Sequence, residues 1–144
     1  MRSNGHQVGV AGEHFIAYNL ARRKINPAMM SKGADAVDIL CTMDGSKAVS
    51  IQVKSSLGKS SPRQWLIGKH KPNPSSIFFF IFCNIWADLE KDPEIFIIPS
   101  QFVHDEVDWN AGTPLFKLKK DQADKFRDAW HLITEQFLSI NTIS

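Results

Sequence analysis

Hydrophobic and polar residues follow a pattern that predicts one helix at the start of the chain and a series of strands after it. From Val8 to about Lys24, most apolar side chains fall on one broad stripe at helical spacing. Apolar runs of strand length follow, and the run 77–83 is apolar on both of its faces. A strand of that kind is typical of the interior of a sheet that helices cover on both sides.

The remaining segments complete a mixed pattern. The loop 25–36 contains proline and glycine, with a short extended piece near 28–30. Three further strands are predicted, at 63–67, 94–98 and 115–119. Two further helices are predicted, at 101–107 and from Asp121 to about Phe137. We therefore predict an α/β (α+β) fold in a single domain, residues 1–144, with one mixed central sheet flanked by helices.

The segment 37–54 is predicted to be a hairpin with an Asp-Gly pair in its turn. If the turn is centred on Gly45, residues whose numbers sum to 90 face each other, and Asp38 lies opposite Gln52. This register requires a loop of three or five residues, because a two-residue turn would move Asp38 to the other face of the sheet.

Three polar side chains are predicted to leave one face of this hairpin together. Gln52 and Lys54 are two residues apart on one strand, and Lys54 lies one diagonal step from Asp38. The Asp38 carboxylate, the Gln52 amide oxygen and the Val53 carbonyl are hard oxygen ligands of the kind that Mg²⁺ prefers. Lys54 would then help to orient or deprotonate a water molecule. The alternative is an ordinary solvated strand face, where these residue types are common.

Charge is distributed unevenly along the chain. Residues 1–87 carry eleven Lys or Arg against four acidic residues, a net charge of +7, whereas residues 88–144 have a net charge of −5. No acidic residue lies between Gly45 and Ala87. A basic half of this kind suggests nucleic acid as a partner, although lysine-rich loops also serve solubility. The candidate contacts are Lys59, Arg63, Lys69 and Lys71.

Trp65 is predicted to be a core aromatic residue, with stacking on a base as the alternative. Cys41 and Cys83 lie in apolar predicted strands and are expected to be buried free thiols in a reducing compartment. The N-terminal residues contain no apolar signal core, and the longest apolar run, 77–86, is too short to span a bilayer. A cytoplasmic protein without a membrane segment is expected.

The ordered motifs resemble the PD-(D/E)XK nuclease superfamily, which includes restriction enzymes, Holliday-junction resolvases and some homing endonucleases. Glu13 lies in the first helix, Asp38 where the superfamily has its PD, and the tripeptide 52–54 where it has (D/E)XK. The resemblance covers about residues 10–105 and extends to a group of small bacterial proteins of that superfamily. It implies a restriction-endonuclease-like fold with an αβββαβ core.

The resemblance also implies a Mg²⁺-dependent deoxyribonuclease, with Mn²⁺ as a substitute. Asp38, Gln52 and the Val53 carbonyl would bind the metal, Lys54 would orient the attacking water, and Glu13 would complete the acidic cluster. The sequence departs from the pattern at Gln52, where Asp or Glu is expected, and it lacks the proline before Asp38. An amide coordinates through oxygen but brings no negative charge.

Three functions stay open on these grounds. A DNA endonuclease is the leading hypothesis, and for it a homodimer is expected, since two-fold symmetry suits cleavage of both strands. A DNA-binding module without chemistry is suggested by Gln52, and an accessory protein by the acidic segment 88–135. Glu13 has a structural alternative, because a carboxylate is favoured early in a helix, and Asp35 competes with Asp38 as the site acid.

Overall fold

The protein folds into a layered arrangement of helices and strands in a computed structural model, which describes residues 5–31, 37–59 and 61–138. The elements are α1 (Gly5–Arg22), β1 (Asn26–Met29), β2 (Ile39–Thr42), β3 (Ala48–Leu57), β4 (Arg63–Leu66), β5 (Phe78–Ile85), β6 (Glu94–Pro99), α2 (Ser100–Glu106), β7 (Leu115–Leu118), α3 (Lys120–Phe126) and α4 (His131–Leu138). Within these described ranges, no helix has the length and apolar character needed to cross a membrane.

Five strands form a mixed sheet in the order β1-β2-β3-β5-β6. Neighbouring strands are antiparallel except for β3 and β5, which are parallel. The predicted mixed sheet flanked by helices is therefore confirmed. The predicted αβββαβ order places a helix after its third strand. In the structure, strand β4 and a loop connect β3 to β5 instead. A helix is disfavoured there by Pro62, Gly68, Pro72 and Pro74.

Each face of the sheet has its own hydrophobic core. On one face, residues of α1 and α4 pack against Ile51 of β3 and Ile81 of β5. On the other face, residues of α2, α3, β4 and β7 pack against Phe80, Phe82 and Phe96. Strand β5 is buried on both faces, as its apolar sequence predicts.

Strand β7 does not join the central sheet, so the prediction of a single sheet is wrong. It pairs antiparallel with β4, and the two strands form a separate ribbon, named here the β4–β7 ribbon. Trp65 and Phe116 of the ribbon pack against the Phe82 ring. The Trp65 indole N–H donates to the Cys83 carbonyl oxygen at 2.9 Å. Trp65 is therefore a core residue, as the sequence favoured, and it is not exposed for stacking on a base.

The single helix predicted over 121–137 is also wrong. Helices α3 and α4 are separated by a turn in which Arg127 forms a β-bridge with Phe96. Asp128 has a positive φ of 51°, and its backbone N–H donates to the Ile95 carbonyl oxygen at 2.9 Å. Backbone pairing with the edge of β6 thus overrides the helical periodicity of the segment.

A buried glycine brings α1 close to β3. A Cβ atom at Gly12 would overlap Ser55 Oγ and lie 3.7 Å from Cys83 Sγ. Gly9, one turn earlier in the same helix, has open space at the corresponding position. The close contact between Gly12 and Ser55 therefore sets the distance between the helix and the strand that carries the candidate site.

One carboxylate fastens the β4–β7 ribbon to the sheet. Glu94 accepts two hydrogen bonds of 2.9 Å from Arg63, one of 3.0 Å from Arg127 and one of 2.8 Å from Asn84. Burial alone would raise the pKa of Glu94, but these hydrogen bonds and the Arg63 charge outweigh it and lower the pKa to about 2. Glu94 is therefore ionised across the neutral and mildly acidic range.

Replacement of Gly12 by alanine is expected to destabilise the protein despite the better helix propensity of alanine, which favours it by about 1 kcal/mol. The reason is the overlap with Ser55 Oγ. Urea unfolding of Gly12→Ala, Ser55→Gly and the double variant should give a coupling free energy of about 1 kcal/mol or more in favour of the double variant. Gly9→Ala is the matched control and should gain stability. A Gly12→Ala variant as stable as Gly9→Ala would contradict the contact.

The Glu94→Gln variant is expected to lose about 2 kcal/mol of unfolding free energy at neutral pH, because a charge-assisted network is weakened. The folded-state pKa of Glu94 lies below its ordinary value of 4.5, so its stabilisation is complete above pH 4.5 and is lost as the pH falls towards 2. Denaturant unfolding at several pH values should therefore show the two proteins converging at acidic pH. The exposed Glu90→Gln serves as control, and an equal pH dependence in both variants would rule out this role of Glu94.

Candidate active site

The hairpin of β2 and β3 has the register that the sequence predicts. Ile39 pairs with Ile51, and each further pair keeps the same sum of 90. Five residues, 43–47, join the two strands. Gly45 lies in this loop with a φ of 85°, which glycine adopts without a steric penalty. The even sum places Asp38 on the same side of the hairpin as the even-numbered residues of β3.

Asp38 lies directly before β2, and hydrogen bonds from the chain on both sides of it fix its position. Its backbone N–H donates to the Ile51 carbonyl oxygen at 2.9 Å, and its own carbonyl oxygen accepts from the Met30 N–H at 2.9 Å. Its carboxylate Oδ2 accepts from the Val53 N–H at 2.7 Å. The backbone and the carboxylate are therefore both fixed before any ligand binds. The competing acid, Asp35, lies outside the described residues.

Gln52 and Lys54 project from β3 into a cleft of about 640 Å³. The loop 67–75 forms the opposite wall, and Phe78 and Phe80 of β5 form part of the floor. Burial lowers the pKa of the Lys54 ammonium, and the nearby charge of Asp38 opposes that shift. The carboxylate and the ammonium are thus close enough to interact at the edge of a partly desolvated cleft.

The oxygen atoms of the candidate site fit Mg²⁺ better than they fit a softer metal, and of the residues that carry them Gln52 lines the cleft, whereas Asp38 and Val53 are not among its lining residues. The available donors are the Asp38 carboxylate, the Gln52 amide oxygen and the Val53 carbonyl oxygen. In the described part of the chain, no three His, Cys, Asp or Glu side chains gather at one point, so a tetrahedral zinc site finds no support there. Mg²⁺ keeps several waters and often uses only one or two carboxylates, with phosphates of the substrate as further ligands.

Glu13 is half-buried in α1, directly after the glycine that contacts Ser55 of β3. The close approach of helix and strand places Glu13 near Ser55, on the face of the sheet that α1 covers, whereas Gln52 and Lys54 line the cleft on the other face. The participation of Glu13 in an acidic cluster stays a prediction.

The four predicted nucleic-acid contacts lie in different surroundings. Lys69 and Lys71 are exposed and line the cleft on the wall opposite β3. Lys59 is exposed just after the end of β3. Arg63 is half-buried, and its guanidinium is bound to Glu94 at 2.9 Å. Arg63 therefore stabilises the position of the ribbon, and its contact with nucleic acid stays a prediction.

The sequence pattern did not predict a second group of basic residues, which the structure brings together. Lys117, Lys119 and Lys120 line a groove of about 590 Å³ beside Arg63, at the end of the β4–β7 ribbon remote from the cleft. They lie within residues 88–144, whose net charge is −5, so the net charge of that half does not indicate a basic group. The available signal was local, because the segment 109–120 contains no acidic residue.

Comparison with known proteins identifies the fold. No protein-family model and no curated protein matches the chain in sequence. The structure is similar to that of the bacterial homing endonuclease I-Ssp6803I, with a TM-score of 0.72 and 15% identity over 99% of this chain and 100% of that one. It is also similar to Hjc, a Holliday junction resolvase from the archaeal hyperthermophile Archaeoglobus fulgidus, with a TM-score of 0.51 and 10% identity over 88% of this chain and 95% of that one. The chain therefore has the restriction-endonuclease-like nuclease fold that the PD-(D/E)XK resemblance implied.

Proposed function

We propose that the chain is a metal-dependent endonuclease that hydrolyses phosphodiester bonds of DNA. The observation that carries this proposal is the 2.7 Å hydrogen bond from the Val53 N–H to the Asp38 carboxylate, which holds an acid beside Lys54. Two structural neighbours support it, since one is a homing endonuclease and the other is a Holliday junction resolvase. A homodimer in the cytoplasm is the assembly and setting that we expect for cleavage of duplex DNA.

In this proposal Asp38, Gln52 and the Val53 carbonyl would hold the metal, with Glu13 as a second carboxylate. When bound there, Mg²⁺ or Mn²⁺ would supply Lewis-acid stabilisation of the phosphate and a water of lowered pKa. Lys54 is a partly desolvated cation, so it interacts strongly with a negatively charged neighbour. It holds the attacking water and stabilises the charge that develops on the phosphate.

The opposite wall of the cleft binds the DNA backbone. Lys69 and Lys71 are exposed there, and none of the described residues that line the cleft is acidic. Phosphates next to the scissile one would therefore meet positive charge on one wall and Lys54 on the other. Lys59 and Arg63 lie farther along the same acid-free segment.

A DNA-binding module without catalysis is the second candidate, and Gln52 favours it. With an amide in place of a carboxylate, the site has one negative charge fewer for holding a dication. Such a module would retain DNA in EDTA and give no product with any metal.

Cleavage is expected to depend on both Asp38 and Lys54. Wild-type protein should nick supercoiled plasmid with Mg²⁺ or Mn²⁺ and not with EDTA, and Asp38→Ala and Lys54→Ala should each lose at least about a hundredfold in rate. Asp92→Ala and Lys91→Ala, both exposed in the turn between β5 and β6, are the matched controls. Cleavage by Asp38→Ala at the wild-type rate would refute the proposal. If the protein neither nicks plasmid nor binds DNA, a protein partner would be indicated.

The Gln52→Glu variant is expected to bind metal more tightly, because it restores a charged ligand at that position. Calorimetric titration with Mn²⁺ should show an affinity increase of roughly tenfold, equivalent to about 1.4 kcal/mol. Gln7→Glu adds the same charge at an exposed position in the first turn of α1 and should leave Mn²⁺ affinity unchanged. Equal affinities of Gln52→Glu and wild type would show that this side chain is not a ligand.

A further inference from the structure

We propose that the groove at the remote end of the β4–β7 ribbon is a second phosphate-binding site, which extends the contact with duplex DNA beyond the cleft. This inference rests on the proposal that the chain acts on DNA. The groove has a volume of about 590 Å³ and is separate from the cleft. It is lined by Ser61, Pro62, Arg63, Lys117, Leu118, Lys119 and Lys120.

The lysines of the groove carry charge that no neighbouring carboxylate neutralises. Lys117, Lys119 and Lys120 are exposed, and their side chains make no ion pair within the described part of the chain. Arg63, by contrast, is neutralised by Glu94. The exposed Asp121 follows directly in the chain, so the groove is a local excess of positive charge and not a uniformly basic surface.

The two sites lie at opposite ends of strand β4. Pro62 and Arg63, at the start of β4, line the remote groove, whereas Ile67 and Gly68, just after its end, line the cleft. Five residues, 63–67, separate Pro62 from Gly68, and the six Cα-to-Cα steps span at most roughly 20 Å at about 3.3 Å per step. Phosphates of one DNA strand are about 3.4 Å apart along the axis, so the span matches about six base pairs.

The surface between the two sites is compatible with a polyanion. Both strands of the ribbon lie in acid-free segments, 45–87 and 109–120. Leu66 is 65% exposed between the two sites, and the exposed Lys117 faces Gln64 across the ribbon. A two-stranded ribbon fits the DNA major groove, where an exposed leucine is able to contact a thymine methyl group. Duplex DNA is therefore the occupant that matches the charge, the spacing and the shape.

The test compares two triple variants that remove three positive charges each and keep most of each side chain. The ribbon variant is Lys117→Gln/Lys119→Gln/Lys120→Gln. The control is Arg22→Gln/Lys24→Gln/Lys91→Gln, at the end of α1 and in the β5–β6 turn, outside both basic sites. Both are checked by thermal unfolding, and binding of a fluorescein-labelled duplex of about 24 base pairs is measured by anisotropy in EDTA over a range of salt concentrations.

We expect the slope of log affinity against log salt concentration to fall by about three for each bound protomer in the ribbon variant and to stay close to the wild-type value in the control. A hydroxyl-radical footprint on the same duplex should shorten in the ribbon variant by about six base pairs on each side that a ribbon covers, one side for a monomer and both for a homodimer. Equal slopes for the two triple variants, an unchanged footprint, or failure of wild-type protein to bind the duplex would each overturn the inference.

The readout is independent of catalysis. If plasmid nicking fails while the ribbon variant lowers the salt slope, the nuclease proposal falls and the second phosphate site stands. If nicking requires Asp38 while the two triple variants bind DNA alike, the nuclease proposal stands and the second site falls.

Discussion

The register of the β2–β3 hairpin is the constraint on which the candidate site depends. Side chains alternate between the faces of a strand, so a shift of one residue would move Asp38 away from the face that carries Lys54. The five-residue loop around Gly45 sets the register, and the bond from the Val53 N–H fixes the carboxylate itself. A loop outside the lining of the cleft thus determines which side chains enter it.

The parallel pairing of β3 with β5 gives this site its electrostatic character. Strand β5 places Phe78 and Phe80 beside Gln52 and the neighbouring Lys54, so apolar side chains replace water on one side of the polar group. Lower hydration makes the ammonium less stable as an isolated ion and strengthens its attraction to negative charge. The aromatic strand therefore contributes to the chemistry of the cleft as well as to the core.

Local patterns in the sequence predicted the parts of the structure that local physics determines. The first helix, the hairpin register and the fully buried β5 follow from periodicity and turn chemistry within a few residues. The β4–β7 ribbon joins strands about fifty residues apart, and the interruption after α3 depends on Phe96, so neither was visible locally. The lysines of the remote groove converge only because that ribbon forms. Whether Gln52 serves in place of an acid is a matter of metal affinity, which spacing alone does not determine.

The Glu94 carboxylate links three separate parts of the chain at one point. Arg63 belongs to the ribbon, Arg127 follows α3, and Asn84 lies in β5, yet all three donate to the same two oxygen atoms. Displacement of the ribbon would take the two Arg63 hydrogen bonds away from a largely buried negative charge, which is unfavourable. The ribbon is thus held in one position before any partner arrives. A rigid surface of this kind loses little conformational entropy on association, so a greater share of its contact energy is retained as affinity.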